Sequence, residues 1–590
     1  GLGVDHLFVL ARGGGTVERW DGEAWAAAGS VAVEVDDAAN TVAALLPFAL
    51  PATGTLRAVS VLGYETGETS WRTGEVPVHD LAFVTAGSPA IPYLESVTTA
   101  VTGFGGDGEK QWQEYEQSAI LAGNAAPGPD GAGVAEIDVA KLQAGATELA
   151  APDAKGFHTF LYRSSIDLGE GVEGSGNGAV YNGPYQPYLV WVPGKDRLKP
   201  GLPLVLYLHG SSQTHLSAVN VAHYDPASQQ AGRPDAIFDF DAVVAWPLGR
   251  GPQTWYEGPA ELDPLEVADD VVARLALDRD RVMLAGLSMG GYGTFRLAER
   301  YPDRWSVAYV DVAGDEVGLV ENLTALPVRM QNGVADPLIP LKELSEGNDP
   351  TWRRTQGLLA AAGTVDYRSW VLTTGTHGPA IAVAECVYRE SFDRPRVTNP
   401  MQVRYTVDPT SFVDDPASGL RLVYEGAYWV SGMRAAADDQ PGSVDLVTRA
   451  FTTLPPATPP PVTDTAHENL THAEDFCGTD TTVRTRQSWM EQARRIVPVA
   501  NPVPERIVTG TLSGLSAVTV AADRAGLGGR APASLRLTVV GPAAVDLTIT
   551  GLASGSAVTA AGRTVRADGS GVATVPLPAG GPGPVTVTIR

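Results

Sequence analysis

The chain has 590 residues, 19% of them charged, and a formal net charge of −26. That length allows three or four domains, each able to bury a core. The acidic balance argues against nucleic acid or an anionic membrane as the main partner, and no apolar run approaches the ~20 residues that cross a bilayer.

Residues 1–100 read as all-β. VDHLFVLAR, TVERWDGEAW, VAVEVDDAANTVAALLPF and LRAVSVLGYETG are apolar or alternating runs cut by Gly, Asp, Asn and Pro. Their spacing predicts an N-terminal antiparallel β-sandwich. Trp20, Trp25 and Trp71 are core candidates, with a minor share for holding a sugar ring or polymer. Residues 101–157 are a connecting segment. A helix is predicted over 110–121, followed by the flexible break GNAAPGPDGAG and the short amphipathic piece AEIDVAKLQAG.

From 158 to 396 strands and helical stretches alternate. FHTFLYRSS, QPYLVWVPG, LPLVLYLHG, AVVAWPLGR, VMLA, WSVAYVDVAG, PVRMQNG and YRSWVLTTG read as strands. LDPLEVADDVVARLAL has helical periodicity. This pattern predicts an α/β domain with a parallel, doubly wound sheet. Active sites in such sheets lie beyond the carboxyl ends of the strands.

The centre of that domain is RVMLAGLSMGGYGTFRLAERYP, residues 281–302. A buried strand runs into Gly286-Leu287-Ser288-Met289-Gly290, and a helix follows until Tyr301-Pro302. Strand, sharp turn and helix form the setting of a nucleophile elbow. The other candidates also stand at strand ends. His209-Gly210-Ser211-Ser212 closes LPLVLYLHG, Asp336 follows PVRMQNG, and His377 follows YRSWVLTTG. A serine hydroxyl needs an imidazole to take its proton as it attacks. Asp336 would orient His377 and stabilise its imidazolium. The oxyanion would meet the N–H of Met289 and that of Ser211 or Ser212. Each residue has a plainer alternative. Asp336 before Pro337 could start a turn, Asp311 is a rival acid one strand early, and His209, His215 and His223 rank below His377. His209 reads as a structural residue of the oxyanion loop. Trp255 and Tyr256, on the loop after AVVAWPLGR, are substrate-pocket candidates with loop packing as the equal alternative, and His209 lies on the same rim.

Residues from about 160 to 390 resemble the α/β-hydrolase superfamily, with the order Ser288, Asp336, His377. WYEGPAELDPLEVADDVVARLALDRDRVMLAGLSMGGYGTFRLAERYPDRWS looks like esterase D, feruloyl esterases and polyhydroxyalkanoate-depolymerase-type esterases. It is also similar to the catalytic domain of prolyl-oligopeptidase-type peptidases. The loop HGSSQ departs from the HGGG of many lipases. The resemblance implies a serine carboxylic-ester hydrolase working without metal or cofactor. The expected substrates are bulky or polymeric esters, polyester or acylated polysaccharide. No propeller-like repeat precedes residue 158. A prolyl-oligopeptidase-like peptidase is the alternative, and a polymer-binding protein with a decayed hydrolase core is the alternative of another class.

After residue 396 the pattern changes. MQVRYTVD, GLRLVYEGAYWVSGMR, SVDLVTRAF and the Val- and Thr-rich runs from Ile507 onward predict a C-terminal β-sandwich region over 397–590. TLPPATPPPVTDT is a proline-rich insertion, and HENLTHAEDFCGTDTTVRTRQSWMEQARRIVP is polar with one short helical piece. AYWVSGMR and SAVTVAADRAGL resemble C-terminal sandwiches of secreted bacterial hydrolases, which gives the expectation of an extracellular protein. Cys386 and Cys477 cannot build a zinc site of ordinary spacing. They are either a disulfide tying one domain to the next or two separate buried thiols.

Overall fold

The computed structural model describes residues 6–36, 41–45, 49, 52–58, 63–65, 71–73, 135–144, 156–215, 241–341, 352–377, 387–456, 460–467 and 489–590, less short gaps within those spans. The helix expected over 110–121, His223, the side chain of Trp71, and both Cys386 and Cys477 lie outside the described residues.

At the N-terminus, His6–Ala11, Gly14–Trp20 and Trp25–Val31 form an antiparallel three-stranded sheet. Trp20 and Trp25 stand opposite each other in it, half-buried, with ring centroids 5.6 Å apart. They pack on one another. Val33–Asp36 pairs with Thr41–Ala44, and Thr55–Ala58 with Ala135–Asp138, both antiparallel.

The central sheet has ten strands. In chain order these are β1 Gly156–Arg163, β2 Tyr185–Val192, β3 Leu204–Leu208, β4 Val243–Pro247, β5 Val282–Leu287, β6 Val307–Asp311, β7 Val328–Gly333, β8 Asp366–Leu372, β9 Thr463–His467 and β10 Trp489–Arg495. Their spatial order is β1-β2-β4-β3-β5-β6-β7-β8-β10-β9. From β4 to β8 neighbours are parallel, while β1, β2, β10 and β9 pair antiparallel. Every residue of β4, β6 and β7 is buried, because helices cover both faces of a parallel sheet. Helices α1 Pro259–Arg274, α2 Met289–Arg300 and α3 Trp352–Ala362 accompany it. Val267 and Val271 of α1, Phe295 and Leu297 of α2, and Trp352 and Leu359 of α3 join the strands in one core.

The expected boundary at 396/397 is crossed by the chain. β9 and β10 come from the insertion in the C-terminal region, yet they extend the central sheet along β8. Trp489–Arg495, read from sequence as polar with a short helical piece, is therefore a strand. The open edge of β8 offers a hydrogen-bonding partner, and tertiary pairing overrides the weak strand propensity of WMEQARR.

The rest of 402–589 forms sheets of seven and four strands, with two two-stranded pairings beside them, Val413–Asp415 with Leu420–Leu422 and Thr453–Leu454 with Val499–Ala500. Strands such as Gly442–Thr448 alternate buried and half-buried residues, so one face of each sheet looks inward. Val444, Leu446, Leu535, Leu537, Leu547 and Val575 from both sheets share one core. No helix among the described residues is long and apolar enough to cross a membrane.

Candidate active site

β5 delivers Ser288 at its carboxyl end, and α2 begins at the next residue. Ser288 has φ 54° and ψ −118°. This is a strained conformation for a residue with a side chain. Two neighbours hold it there. The Ser288 N–H donates to the Asp311 carbonyl at 2.9 Å, and the Ser288 carbonyl accepts from the Tyr292 N–H at 3.0 Å. A Cβ at Gly290 would drive into the Leu208 carbonyl of β3. Only glycine lets the helix start press this closely against the sheet.

The turn after β7 delivers Asp336. Its Oδ1 accepts the N–H groups of Leu338 at 2.8 Å and Ile339 at 2.9 Å. The turn after β8 delivers His377. The two turns are laced together: the Ala335 N–H donates to the Gly375 carbonyl at 2.9 Å, and the Val334 N–H to that of Leu372 at 2.8 Å. A side chain at Gly333 would occupy the space of the Gly375 backbone. His377 Nδ1 lies 2.9 Å from Asp336 Oδ2, and its Nε2 lies 2.9 Å from Ser288 Oγ. The Asp336 side chain is fully buried, and that of His377 is 20% exposed. The imidazole is thus held between a buried carboxylate and the serine hydroxyl, with part of its surface exposed.

The oxyanion side is narrower than the sequence left it. The Ser212 N–H is committed to the Pro252 carbonyl at 2.9 Å, so Ser212 is unavailable as a donor. The Ser211 N–H has no acceptor among the described residues. Met289 opens α2, where no carbonyl one turn back can accept its N–H. Gln213 completes the loop, because its Oε1 accepts the Gly210 N–H at 2.8 Å. The sequence reading did not single out Gln213. Its only signal was the polar residue closing HGSSQ.

Two of the three pocket candidates are fully buried. His209 is fully buried, with Nδ1 2.9 Å from the Gly210 carbonyl and Nε2 2.8 Å from that of Leu248. Burial lowers its pKa from the ordinary value, against those hydrogen bonds. It is a spacer between the loops after β3 and β4. Tyr256 is also fully buried, and its hydroxyl donates to the His209 carbonyl at 3.3 Å. Trp255 is half-buried. Its N–H donates to Met289 Sδ at 3.4 Å, and its ring lies 5.7 Å from Tyr292. It therefore stands beside the residue that follows Ser288. The rival acid Asp311 points elsewhere: it is fully buried and accepts from the Gln331 side-chain amide. His215 is buried as well. Among the described residues no group of three or more His, Cys, Asp or Glu could hold a metal ion.

No family model matches the chain, and no curated protein matches it. Among solved structures, it is similar to a thermostable esterase at 19% identity, covering 41% of this chain and 64% of that one, with a TM-score of 0.29. The matched region thus spans less than two thirds of that esterase. It is similar to an S-formylglutathione hydrolase from Agrobacterium tumefaciens at 14% identity, covering 42% and 99%, with a TM-score of 0.31. It is similar to a Pyrococcus horikoshii acylaminoacyl peptidase at 14% identity, covering 41% and 42%, with a TM-score of 0.27. The parallel strands β3 to β8, the elbow at the end of β5, and an acid and a histidine on the turns after β7 and β8 give this part of the chain the α/β-hydrolase fold.

Proposed function

We propose that the chain is a serine hydrolase that cleaves carboxylic esters through an acyl-enzyme. The observation that carries this reading is the continuous path from Ser288 Oγ through His377 to Asp336, with both contacts at 2.9 Å. His377 takes the Ser288 proton as Oγ attacks the ester carbonyl. Asp336 holds the ring with Nδ1 protonated and offsets the imidazolium charge. The N–H groups of Met289 and Ser211 receive the developing oxyanion. His377 then gives its proton to the departing alkoxide. Water enters by the same route and releases the acid.

Bulky or polymeric esters, of polyester or acylated polysaccharide, are the proposed substrates, and the setting is extracellular. The exposed apolar side chains of Val334 and Leu338, flanking Asp336 on the same turn, support an apolar partner at the rim. The acidic balance supports the setting. The same triad serves amides, and the ratio of the two activities separates the readings. A fluorophosphonate probe is expected to label Ser288, and Ser288→Ala to abolish labelling and hydrolysis of p-nitrophenyl esters. Labelling that survives the substitution would remove the proposal. On a panel of acetyl and feruloyl sugar esters, polyester oligomers and prolyl amides, kcat/KM for the best ester is expected to exceed that for the best amide by at least ~10³. Tight binding to polymer without turnover of any ester would favour a binding protein with a decayed core.

A further inference from the structure

At the opposite end of β8 from His377, a cavity of about 400 Å³ opens beside strands β7, β8 and β10. Six residues of extended strand, ~20 Å, separate it from the turn that carries the histidine. Five arginines line it, with the acids Asp366 and Glu390. Arg368 also pairs with Glu491 at 2.9 Å, so five arginines meet three carboxylates and two positive charges are left over, in a chain whose net charge is −26.

The two lining carboxylates are already shared. Asp366 accepts from Arg329 at 3.1 Å and from Arg394. Glu390 accepts from Arg329 at 2.6 Å and from Arg368 at 3.1 Å. Arg329 is saturated, since its remaining nitrogen donates to the Val328 and Asp366 carbonyls. Arg494 is more than nine-tenths buried. Its terminal nitrogens donate to the Ala360 and Leu359 carbonyls near the end of α3, but its Nε is buried with no acceptor. Arg394 spends one nitrogen on Asp366 and has two others without a partner among the described residues. Arg495 is exposed and has no carboxylate within ion-pair distance among the described residues. Several arginines around one cavity match the oxygens of a multiply charged anion.

We propose that this cavity binds a small, multiply charged oxyanion of the phosphate or polycarboxylate class. Arg394 and Arg495 supply the open donors. Arg394 follows β8 in the chain, and Arg495 lies on β10. A bound anion therefore ties β10 to the segment that carries Arg394. The site is separate from the triad, and its test does not depend on the ester reading.

The test is calorimetric titration and thermal unfolding of the full chain with sodium citrate or sodium phosphate, at ionic strength matched with sodium chloride. Saturable binding and a melting temperature that rises to a plateau are expected. Arg495→Gln, at an exposed position without a partner, is expected to leave the ligand-free melting temperature unchanged and to weaken binding about tenfold. Arg394→Gln is expected to weaken it at least as much. Citrate binding tighter than phosphate would identify a polycarboxylate, and the reverse order a phosphate ester; either supports the site. No saturable binding to the wild-type chain, or a rise that is unsaturated and equal in all three proteins, as for a general salt effect, would overturn it.

Discussion

Asp336 illustrates how little freedom a triad residue has. Its Oδ1 is fixed by the N–H groups of Leu338 and Ile339, which leaves Oδ2 facing His377. Asp336→Asn keeps an acceptor for those two donors but presents an amide to the ring. His377 then adopts the wrong tautomer, and kcat on p-nitrophenyl esters is expected to fall by ~10³–10⁴ with the circular dichroism unchanged. Ser288, Asp336 and His377, which the structure brings together, were legible because each stands at the end of a strand. For His209 and Tyr256 the burial fits the structural and loop-packing readings rather than the pocket one, and nothing local to HGSS or TWYE records which loops fold over which. Asp311 carries a second prediction. Burial raises its pKa to about 7, against the opposing hydrogen bonds from Gln331 and Tyr309. A carboxyl raised in this way favours the fold while protonated. Its contribution is full below the unfolded value near ~3.9 and is lost as pH rises through about 7. Asp263, raised to about 6 by burial, acts in the same direction. Urea midpoints of the wild-type chain are expected to include a fall between about pH 4 and pH 7, at up to about 1.4 kcal/mol per pH unit for each group. Asp311→Asn should flatten that fall, and an unaltered slope in the variant would show that Asp311 does not titrate there.

At the scale of elements, burial on both faces decides what could be read. β3 to β6 are short, almost wholly apolar runs between loops and helices, and a parallel sheet is the arrangement that hides them. The hairpin β9–β10 has no such signature. Its sequences TDTAH and WMEQARR are polar and become strands only because β8 ends the parallel set with an open edge. One residue anchors it: Trp489, 1% exposed, opposite Leu372. Trp489→Ala is expected to cost about 3–5 kcal/mol in chemical denaturation, through lost burial and the cavity left behind. Asp464, on the outer strand, is exposed and only receives the Gln492 amide at 3.0 Å. Asp464→Ala is expected to stay within about 0.5 kcal/mol. Similar losses at both positions would mean that the hairpin is held by its surface polar contacts rather than by the buried tryptophan.

For the whole molecule, the question is whether the α/β domain and the C-terminal sheets are separate bodies. Their seam is made of buried polar groups that no short linker would create. The Asn322 side chain donates to the Glu299 carbonyl at 2.8 Å and the Thr406 carbonyl at 3.1 Å, and it accepts the Thr406 N–H at 2.7 Å. The Tyr405 hydroxyl donates to the Arg300 carbonyl at 2.5 Å. Arg300 itself forms a buried ion pair with Glu261, and its guanidinium lies 5.1 Å from the Tyr424 ring. Leu319 and Ala325, from the loop between β6 and β7, belong to the core of the C-terminal sheets. Separating the two parts would strand these backbone groups and expose that apolar surface. It would also strip β10 from β8. The full chain is therefore expected to unfold these two parts in one calorimetric transition. Asn322→Ala, which leaves the Thr406 N–H and two carbonyls unpaired, is expected to cost about 1–3 kcal/mol and to lower that single transition without splitting it. A chain ending at residue 396 is expected to be insoluble or to bind hydrophobic dyes, and to turn over no ester. A soluble 1–396 chain with wild-type kcat on a short p-nitrophenyl ester would show instead that the C-terminal sheets are an appendage, with the seam contributing nothing to the active fold.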